Sequence, residues 1–245
     1  MELYKYVALG NDFLITEFQE SIDYKKYAKS ILKPHLGIGS DGLIVVNSKT
    51  NSASFYNVDG SSASMCGNGI RCVFLYLYKK NPKEKMILKV NDIFYDLHLA
   101  SLHPFTVDVH FPKRLIDIKN FEIDSLFGAY SVFVGNSHLV IFDDNEKILK
   151  MMKKDDKELY KTNINVVTPL TKNMIKVDTF EKGVGRTLSC GTGALASSIA
   201  YKLKTDCKED IIVHYELGEL NIKEDEYCYH LIGEARFLAK IEANI

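Results

Sequence analysis

Apolar and polar positions along the chain read as many short strands and a few helices. Met1–Tyr6 and Phe13–Phe18 alternate as two strands around the turn Leu9-Gly10-Asn11-Asp12. Apolar or aromatic residues at Ile22, Tyr24, Tyr27, Ala28, Ile31 and Leu32 recur at helical spacing. Leu43–Val46 reads as a buried strand. Ile70–Tyr78 fits helix or strand by content, and the glycine-rich turn before it favours helix. Short strands continue to Phe111, with Asn81-Pro82 and Asn91-Asp92 as turns.

The second half repeats this order. Strands at Tyr130–Val134 and Leu139–Phe142 flank Gly135-Asn136, and an amphipathic helix is expected over Asn145–Lys161. Within its KMMKKDDKELYK segment the charges nearly cancel, the pattern of a solvated helix face. Strands follow at Asn163–Val167 and Met174–Phe180, then a helix from about Gly191 to Leu203, then closing strands. Short motifs recur in register. Gly10-Asn11 matches Gly135-Asn136 and Phe55 matches Phe180, both at an offset of 125, and Cys66-Gly67-Asn68-Gly69 matches Cys190-Gly191-Thr192-Gly193 at 124. A period this long signals a duplicated domain rather than a solenoid, with two related halves meeting near residues 100–115.

Composition narrows the class. The 245 residues carry 31 basic and 32 acidic side chains, a net charge of −1, which excludes a generically basic nucleic-acid binder. At 46 % hydrophobic and 26 % charged, the chain has the usage of a soluble globular protein able to build a core. No apolar run approaches the ~18 residues of a membrane span, and the N-terminus lacks the pattern of a signal peptide. A cytoplasmic protein without membrane association is the expectation. Five scattered cysteines, none in a C-x-x-C pair, argue against a disulfide scaffold, structural zinc or thioredoxin-type chemistry. Any cysteine that matters does so as a thiol.

The sharpest feature is the matched pair SMCGNGIRC and LSCGTGALA. Each leads through Cys-Gly-polar-Gly into a helix, whose N-terminus presents unpaired N–H groups and a partial positive charge suited to a carboxylate. The same field favours thiolate at Cys66 and Cys190. If the halves are related by a pseudo-twofold axis, one thiolate removes a proton from one face of a carbon while the other thiol donates to the opposite face. That is inversion by general acid–base catalysis, with one proton shared between the two thiols in the active form. Either cysteine alone would read as a small buried residue at a helix start; the matched pair is what carries the chemistry. Gly37 to Gly42 fits G-x-G-x-x-G, but helix precedes it and strand follows, the reverse of a dinucleotide fingerprint. Walker-type and H-E-x-x-H motifs are missing from the sequence.

LGNDF (Leu9–Phe13), GIGSDG (Gly37–Gly42), FYNVDGSSASMCGNGIRC (Phe55–Cys72), GNSH (Gly135–His138), TNIN (Thr162–Asn165) and FEKGVGRTLSCGTG (Phe180–Gly193) together resemble the diaminopimelate epimerase family, in order and over nearly the whole chain. The resemblance implies a cofactor-independent, metal-free epimerase interconverting LL- and meso-2,6-diaminopimelate, typically a homodimer, in lysine and peptidoglycan precursor synthesis. It implies a mixed α/β (α+β) fold of two pseudo-twofold-related lobes, each a curved, mostly antiparallel sheet wrapped around a central helix. The lobes would be residues 1–105, joined by a returning strand at about 236–245, and residues 106–235. Carried over by motif, Cys66 and Cys190 are the acid–base pair, supported by His138 and Glu181. Gly67, Asn68, Gly191 and Thr192 bind the reacting carboxylate, and Asn11, Asn57, Asn136 and Asn163 hold the substrate's amino and carboxylate groups. Glu181 also meets an ammonium. Without the resemblance, His138 reads as an ordinary histidine at a strand start.

Three departures from the family pattern stand out. The family's Glu-Arg-Gly is Glu181-Lys182-Gly183 here, and a lysine offers a point charge where that arginine offers a two-donor fork to the distal carboxylate. Arg186 stands where an acidic residue is usual and is expected to compensate, and Asn-Pro-His is Asn136-Ser137-His138. Rival readings are a racemase of the same superfamily for another amino acid, a non-catalytic two-lobed amino-acid binding protein, and a cysteine hydrolase. The hydrolase gives no reason for a second matched cysteine.

Overall fold

Two positive backbone angles open the structure, a computed structural model that describes residues 1–63, 65–121, 129–142, 162–182 and 185–243. Leu9 (φ 49°) and Gly10 (φ 88°) form a two-residue turn of the kind that matches strand twist. The turn closes β1 (Glu2–Ala8) onto β2 (Asn11–Glu17) with Ala8 opposite Asn11, which places Asn11 at the hairpin's mouth. Helix α1 (Tyr24–Ile31) starts at Asp23, whose carboxylate accepts the N–H groups of Lys25 and Lys26. Strands β3 (Gly42–Asn47), β4 (Ser52–Asn57) and the short β5 (Ser62–Ala63) follow, then helix α2 (Gly67–Lys80) and strands β6 (Lys85–Val90), β7 (Ile93–Leu102) and β8 (Phe105–Pro112).

The chain continues through a short 3-10 turn (Lys113–Leu115) into β9 (Asp117–Phe121), β10 (Ala129–Phe133), β11 (Ser137–Phe142), β12 (Asn163–Pro169), β13 (Met174–Glu181) and β14 (Gly185–Thr187). Helix α3 (Gly191–Thr205) comes next, then β15 (Ile211–Tyr215), β16 (Gly218–Glu224), β17 (Cys228–Glu234) and β18 (Arg236–Glu242). The fold is mixed α/β and dominated by strands. It divides into two units: one holds Met1–His110 and the C-terminal residues from Ile232, the other Phe111–Leu231. The amphipathic helix expected over Asn145–Lys161 lies outside the described residues. No helix among the described residues is long and apolar enough to cross a membrane.

In the first unit β18 pairs antiparallel with β1, and β1 with β2; β2 runs parallel to β3, which is antiparallel to β4. Strand β4 is parallel to β6, followed by the antiparallel pairs β6–β7 and β7–β8. Both faces of the central strands are covered. Leu14, Leu43 and Val45 pack with Tyr24, Tyr27 and Ala28 of α1, while Ile44 and Phe55 lie against α2. That is why FLIT and LIVV read as unbroken apolar runs rather than alternating ones. Helix α2 is buried all round from Gly67 to Leu77, as expected of a helix without a polar stripe. Each fully buried Val73 or Phe74 is worth on the order of 1.5–3 kcal/mol.

The second unit repeats the plan pair by pair. The β10–β11 hairpin is antiparallel, β11 is parallel to β12, β12 antiparallel to β13, β13 parallel to β15, and β15 antiparallel to β16. Helix α3, buried from Gly191 to Tyr201, takes the place of α2. Strand register corrects one sequence equivalence. Leu14 is opposite Leu43 and Leu43 opposite Tyr56, while Leu139 is opposite Ile164 and Ile164 opposite Phe180. Phe180 therefore corresponds to Tyr56, not Phe55, and Glu181 to Asn57. The offset is 121 at β3 and 124 at β4, because the β2-to-β3 and β3-to-β4 connections both differ in length from their counterparts in the second unit.

Both helices need a glycine at their third position. A Cβ on Gly69 would lie 2.6 Å from Phe55 Cε1, and one on Gly193 would lie 2.4 Å from Asn165 Oδ1. Alanine is the better helix former, but here overpacking of a rigid ring wins. Gly69→Ala is expected to cost about 1–2 kcal/mol, read as a lower urea midpoint at unchanged slope. An equal or higher midpoint would show that the close approach of α2 to β4 is not a constraint.

Candidate active site

At the start of α2 the cysteine itself caps the helix. Cys66 has an extended backbone (φ −138°, ψ 114°), and its Sγ accepts the Gly69 N–H at 3.4 Å, the geometry a Ser or Asp side chain adopts as an N-cap. One residue into the first turn, Asn68 is fully buried. Its orientation is forced by Arg71, another fully buried side chain, which donates from Nη2 to Asn68 Oδ1 (2.9 Å), from Nη1 to the Gly67 carbonyl (3.3 Å) and from Nε to the Glu234 carbonyl (3.3 Å). A guanidinium has only donors, so Asn68 must turn its oxygen to it and its Nδ2 away. That Nδ2 donates to Asn11 Oδ1 at 2.6 Å, and Asn11 Nδ2 donates to Asp41 Oδ2 at 3.1 Å. Two amides are thus aligned between a buried cation and a carboxylate. Asp41 also accepts the Asp12 N–H (3.1 Å), and Asp12 pairs with Lys5 at 2.6 Å. Cys72, one turn further along α2, is sealed in the core, where burial pushes its thiol pKa up; it is a packing residue.

The second unit repeats the cap with different support. Cys190 is extended (φ −142°, ψ 118°), and its Sγ accepts the Gly193 N–H at 3.3 Å. The Thr192 hydroxyl lies 3.4 Å from the same sulfur and 3.0 Å from His138 Nε2. His138 Nε2 also faces Asn136 Oδ1 at 3.1 Å, and Nδ1 faces Asn165 Nδ2 at 2.9 Å. With an amide nitrogen donating to Nδ1, the ring carries its proton on Nε2 and gives it to Asn136 and Thr192. Asn165 Oδ1 in turn accepts from the Thr179 hydroxyl at 3.1 Å. His138 is 1 % exposed, and burial pushes its pKa down to about 3, so the imidazole is neutral at pH 7. Tyr215, fully buried, ties the cap down by donating to the Cys190 carbonyl at 3.0 Å.

Of the residues singled out in the sequence, the structure gathers Cys66, Gly67, Asn68 and Asn11 in the first unit, and Cys190, Gly191, Thr192, His138 and Asn136 in the second. Four further positions lie along or beside the strands. Asn57 is exposed at the end of β4, its Nδ2 donating to Ser61 Oγ at 2.9 Å. Asn163 spends its amide on backbone, accepting the Lys182 N–H (3.0 Å) and donating to the Ser137 carbonyl (2.9 Å). Glu181 accepts from the Thr187 hydroxyl at 2.9 Å, and Lys182 is exposed. Arg186, expected to stand in for the missing arginine, is instead held by Asp178 at 2.6 Å. Residues not singled out beforehand are Arg71, Asp41, Asn165 and Thr179. Arg71 is the one charge in the apolar run Ile70–Tyr78, and Asn165 interrupts the apolar run of β12. A lone polar residue inside a fully apolar element was the available signal.

Strand register within each unit gives the position-by-position equivalence of the two clusters. Phe13, Ile44, Phe55 and Arg71 of the first unit correspond to His138, Asn165, Thr179 and Leu195 of the second. In one copy the polar support comes from the helix, against an apolar sheet. In the other it comes from the sheet, against an apolar helix.

Comparison with known proteins gives one family. The family model described as diaminopimelate epimerase matches residues 3–91 and 130–238. A diaminopimelate epimerase of Caldanaerobacter subterraneus is 31 % identical with all of both chains covered. One from Helicobacter pylori is 31 % identical over 97 % of this chain and 94 % of its own. Among solved structures, the PhzF-family phenazine biosynthesis protein of Bacillus anthracis matches with a TM-score of 0.75 at 14 % identity, covering 100 % of this chain and 99 % of that one. A hydroxyproline epimerase of Agrobacterium vitis matches at 0.69 and 8 % identity, covering 98 % and 90 %. Those two likenesses show the fold, and the full-length matches above 30 % together with the family model show the lineage: the chain belongs to the diaminopimelate epimerase family, a family of isomerases.

Proposed function

We propose that this protein interconverts LL- and meso-2,6-diaminopimelate without a cofactor, using Cys66 and Cys190 as the acid–base pair. The observation that carries the reading is the twice-built cap, in which each cysteine sulfur accepts an N–H from the first turn of its own buried helix. Such a position favours thiolate, the form needed to take a proton. In the reaction one thiolate removes the α-proton, the electron pair left on carbon delocalises into the carboxylate, and the other thiol protonates the opposite face. The enzyme ends with its single proton on the first sulfur, ready for the reverse direction. First-turn N–H groups of Gly67, Asn68, Gly191 and Thr192 supply fixed dipoles for the charge that builds on the carboxylate. Neutral His138 does not act as the base; it holds Thr192 against the Cys190 sulfur and Asn136 toward the substrate's polar groups.

A second reading, racemisation of an amino acid without a distal carboxylate, is favoured by one observation. Lys182 replaces the family arginine, and Arg186 is engaged by Asp178. Its measure is turnover of diaminopimelate against a panel of single-carboxylate amino acids. If diaminopimelate is the substrate, Lys182→Arg lowers KM for it with little change in kcat; a preferred single-carboxylate substrate would sink the assignment.

The central test is proton exchange. With LL-diaminopimelate in deuterated water under reducing conditions, deuterium should enter the inverted carbon, and Cys66→Ala and Cys190→Ala should each reduce incorporation by roughly 10²–10⁴-fold. Full activity in both variants would overturn the mechanism, and tight binding without exchange would favour a binding protein.

Burial of neutral His138 also predicts a pH profile for stability. An unfolded histidine titrates near 6.5, whereas the folded ring titrates near 3. Between those values the unfolded chain holds the extra proton, so stability is full above about 6.5 and falls as pH drops. From pH 6.5 to 5, before carboxylates begin to titrate, the loss from this one group is about 2 kcal/mol. His138→Gln should flatten urea-midpoint data over that window; an unchanged slope would mean the ring does not stay neutral.

A further inference from the structure

The hairpin β7–β8 carries the same tripeptide pattern twice, Asp96-Leu97-His98 and Asp108-Val109-His110. Antiparallel pairing sets Asp96 opposite His110 and His98 opposite Asp108. Strand alternation sends Leu97 and Val109 into the core, both fully buried, and all four polar side chains to the other face. The result is a two-by-two grid in which each imidazole has a carboxylate beside it and another across the strand gap.

Distances within the grid have the sense of a metal site. His98 Nε2 lies 3.2 Å from Asp96 Oδ1, His110 Nδ1 lies 3.7 Å from Asp96 Oδ2, and the two rings stand 4.3 Å apart by centroids. One donor atom from each of Asp96, His98 and His110 falls within 4.8 Å of the others. Tetrahedral zinc with bonds of about 2.1 Å spaces its ligand atoms roughly 3.4 Å apart, so small side-chain rotations of His98 and Asp96 close the set. The fourth residue supplies what such sites use to orient a ligand. Asp108 Oδ2 lies 3.2 Å from His110 Nε2, on the far side of the ring from Nδ1, so a small rotation would complete a carboxylate–histidine–metal arrangement of the kind that fixes the tautomer and raises ligand basicity. Two imidazoles and a carboxylate suit zinc and its first-row neighbours rather than magnesium or calcium. The two carboxylates bring a charge of −2 to the grid, which a dication cancels.

We propose that Asp96, His98 and His110 bind a divalent zinc-class cation, with Asp108 positioning His110, and that the ion staples β7 to β8. Cysteine spacing gives no hint of it, since no ligand is a thiol. The site uses none of the residues assigned to proton transfer, so it stands or falls independently of the epimerase reading.

The test is titration of the full-length, chelator-treated protein with Zn²⁺ in equilibrium dialysis, and with Co²⁺ for its absorption spectrum. Binding of one equivalent is expected, with a cobalt spectrum lacking a thiolate charge-transfer band. His98→Gln and Asp96→Asn should abolish the site, and Asp108→Asn should weaken it by roughly 10–100-fold. Zinc should raise the melting midpoint of the parent protein and not of His98→Gln. These positions lie on the outer face of the sheet, so the variants should keep their circular dichroism and their deuterium exchange. A thiolate band with binding unchanged in His98→Gln would place the metal on cysteine and overturn the proposal. So would failure to bind zinc at millimolar concentration.

Discussion

A helix buried on every side still has to begin, and its first turn carries N–H groups that nothing within the helix accepts. In this protein the acceptor is a cysteine sulfur, at Cys66 for α2 and at Cys190 for α3. The rest of the architecture follows from that choice. In both copies a glycine follows the capping sulfur and opens the helix. The glycine after next must carry no side chain, because the sheet passes within contact distance. The strands around the helix are in turn apolar on both faces, since each covers the helix on one side and other residues on the other. Fold and candidate chemistry share one requirement, the satisfaction of the first turn of a buried helix.

Holding the residue two positions after each cysteine is a separate problem, solved differently in the two copies. Asn68 is aligned by a buried guanidinium on its own helix, and Thr192 by a neutral imidazole on the neighbouring strand. Both arrangements leave every named polar atom with a partner, the condition on which buried polar groups are tolerated. They differ in electrostatics. Arg71 sets a full positive charge on the Asn68 amide, whereas His138, neutral at pH 7, presents only a dipole to Thr192. Two similar caps are therefore backed by differently charged supports.

Much of this was legible in the sequence. Among the described residues, the element order, the repeated plan and the two helix starts follow from periodicity and from the repeated Cys-Gly-polar-Gly segment. The clusters around Asn11–Asn68 and His138–Thr192 also gather residues that the motifs had singled out. What was not legible depends on long-range register. Phe55 and Phe180 look equivalent because both are aromatic, and only pairing through β3 and β12 shows that Tyr56 is the true counterpart. Arg186 looked available until strand pairing brought Asp178 beside it. Arg71 and Asn165 stand out only as polar residues in apolar runs; what each one holds, Asn68 and His138, shows only in the folded chain.

The correspondence of Phe13, Ile44 and Phe55 with His138, Asn165 and Thr179 has a consequence for the history of the chain. The two copies carry their polar residues on opposite sides of the same contact, helix in one and sheet in the other. Such changes are complementary only within a copy. A recombinant that exchanged α2 for α3 would set Leu195 against Phe13 and Phe55 in one half, with no donor for the buried amide network. In the other half it would drive the Arg71 guanidinium into an imidazole already committed on both nitrogens. The halves still share a fold, but they have lost the ability to trade parts, which fixes each cysteine to its own lobe.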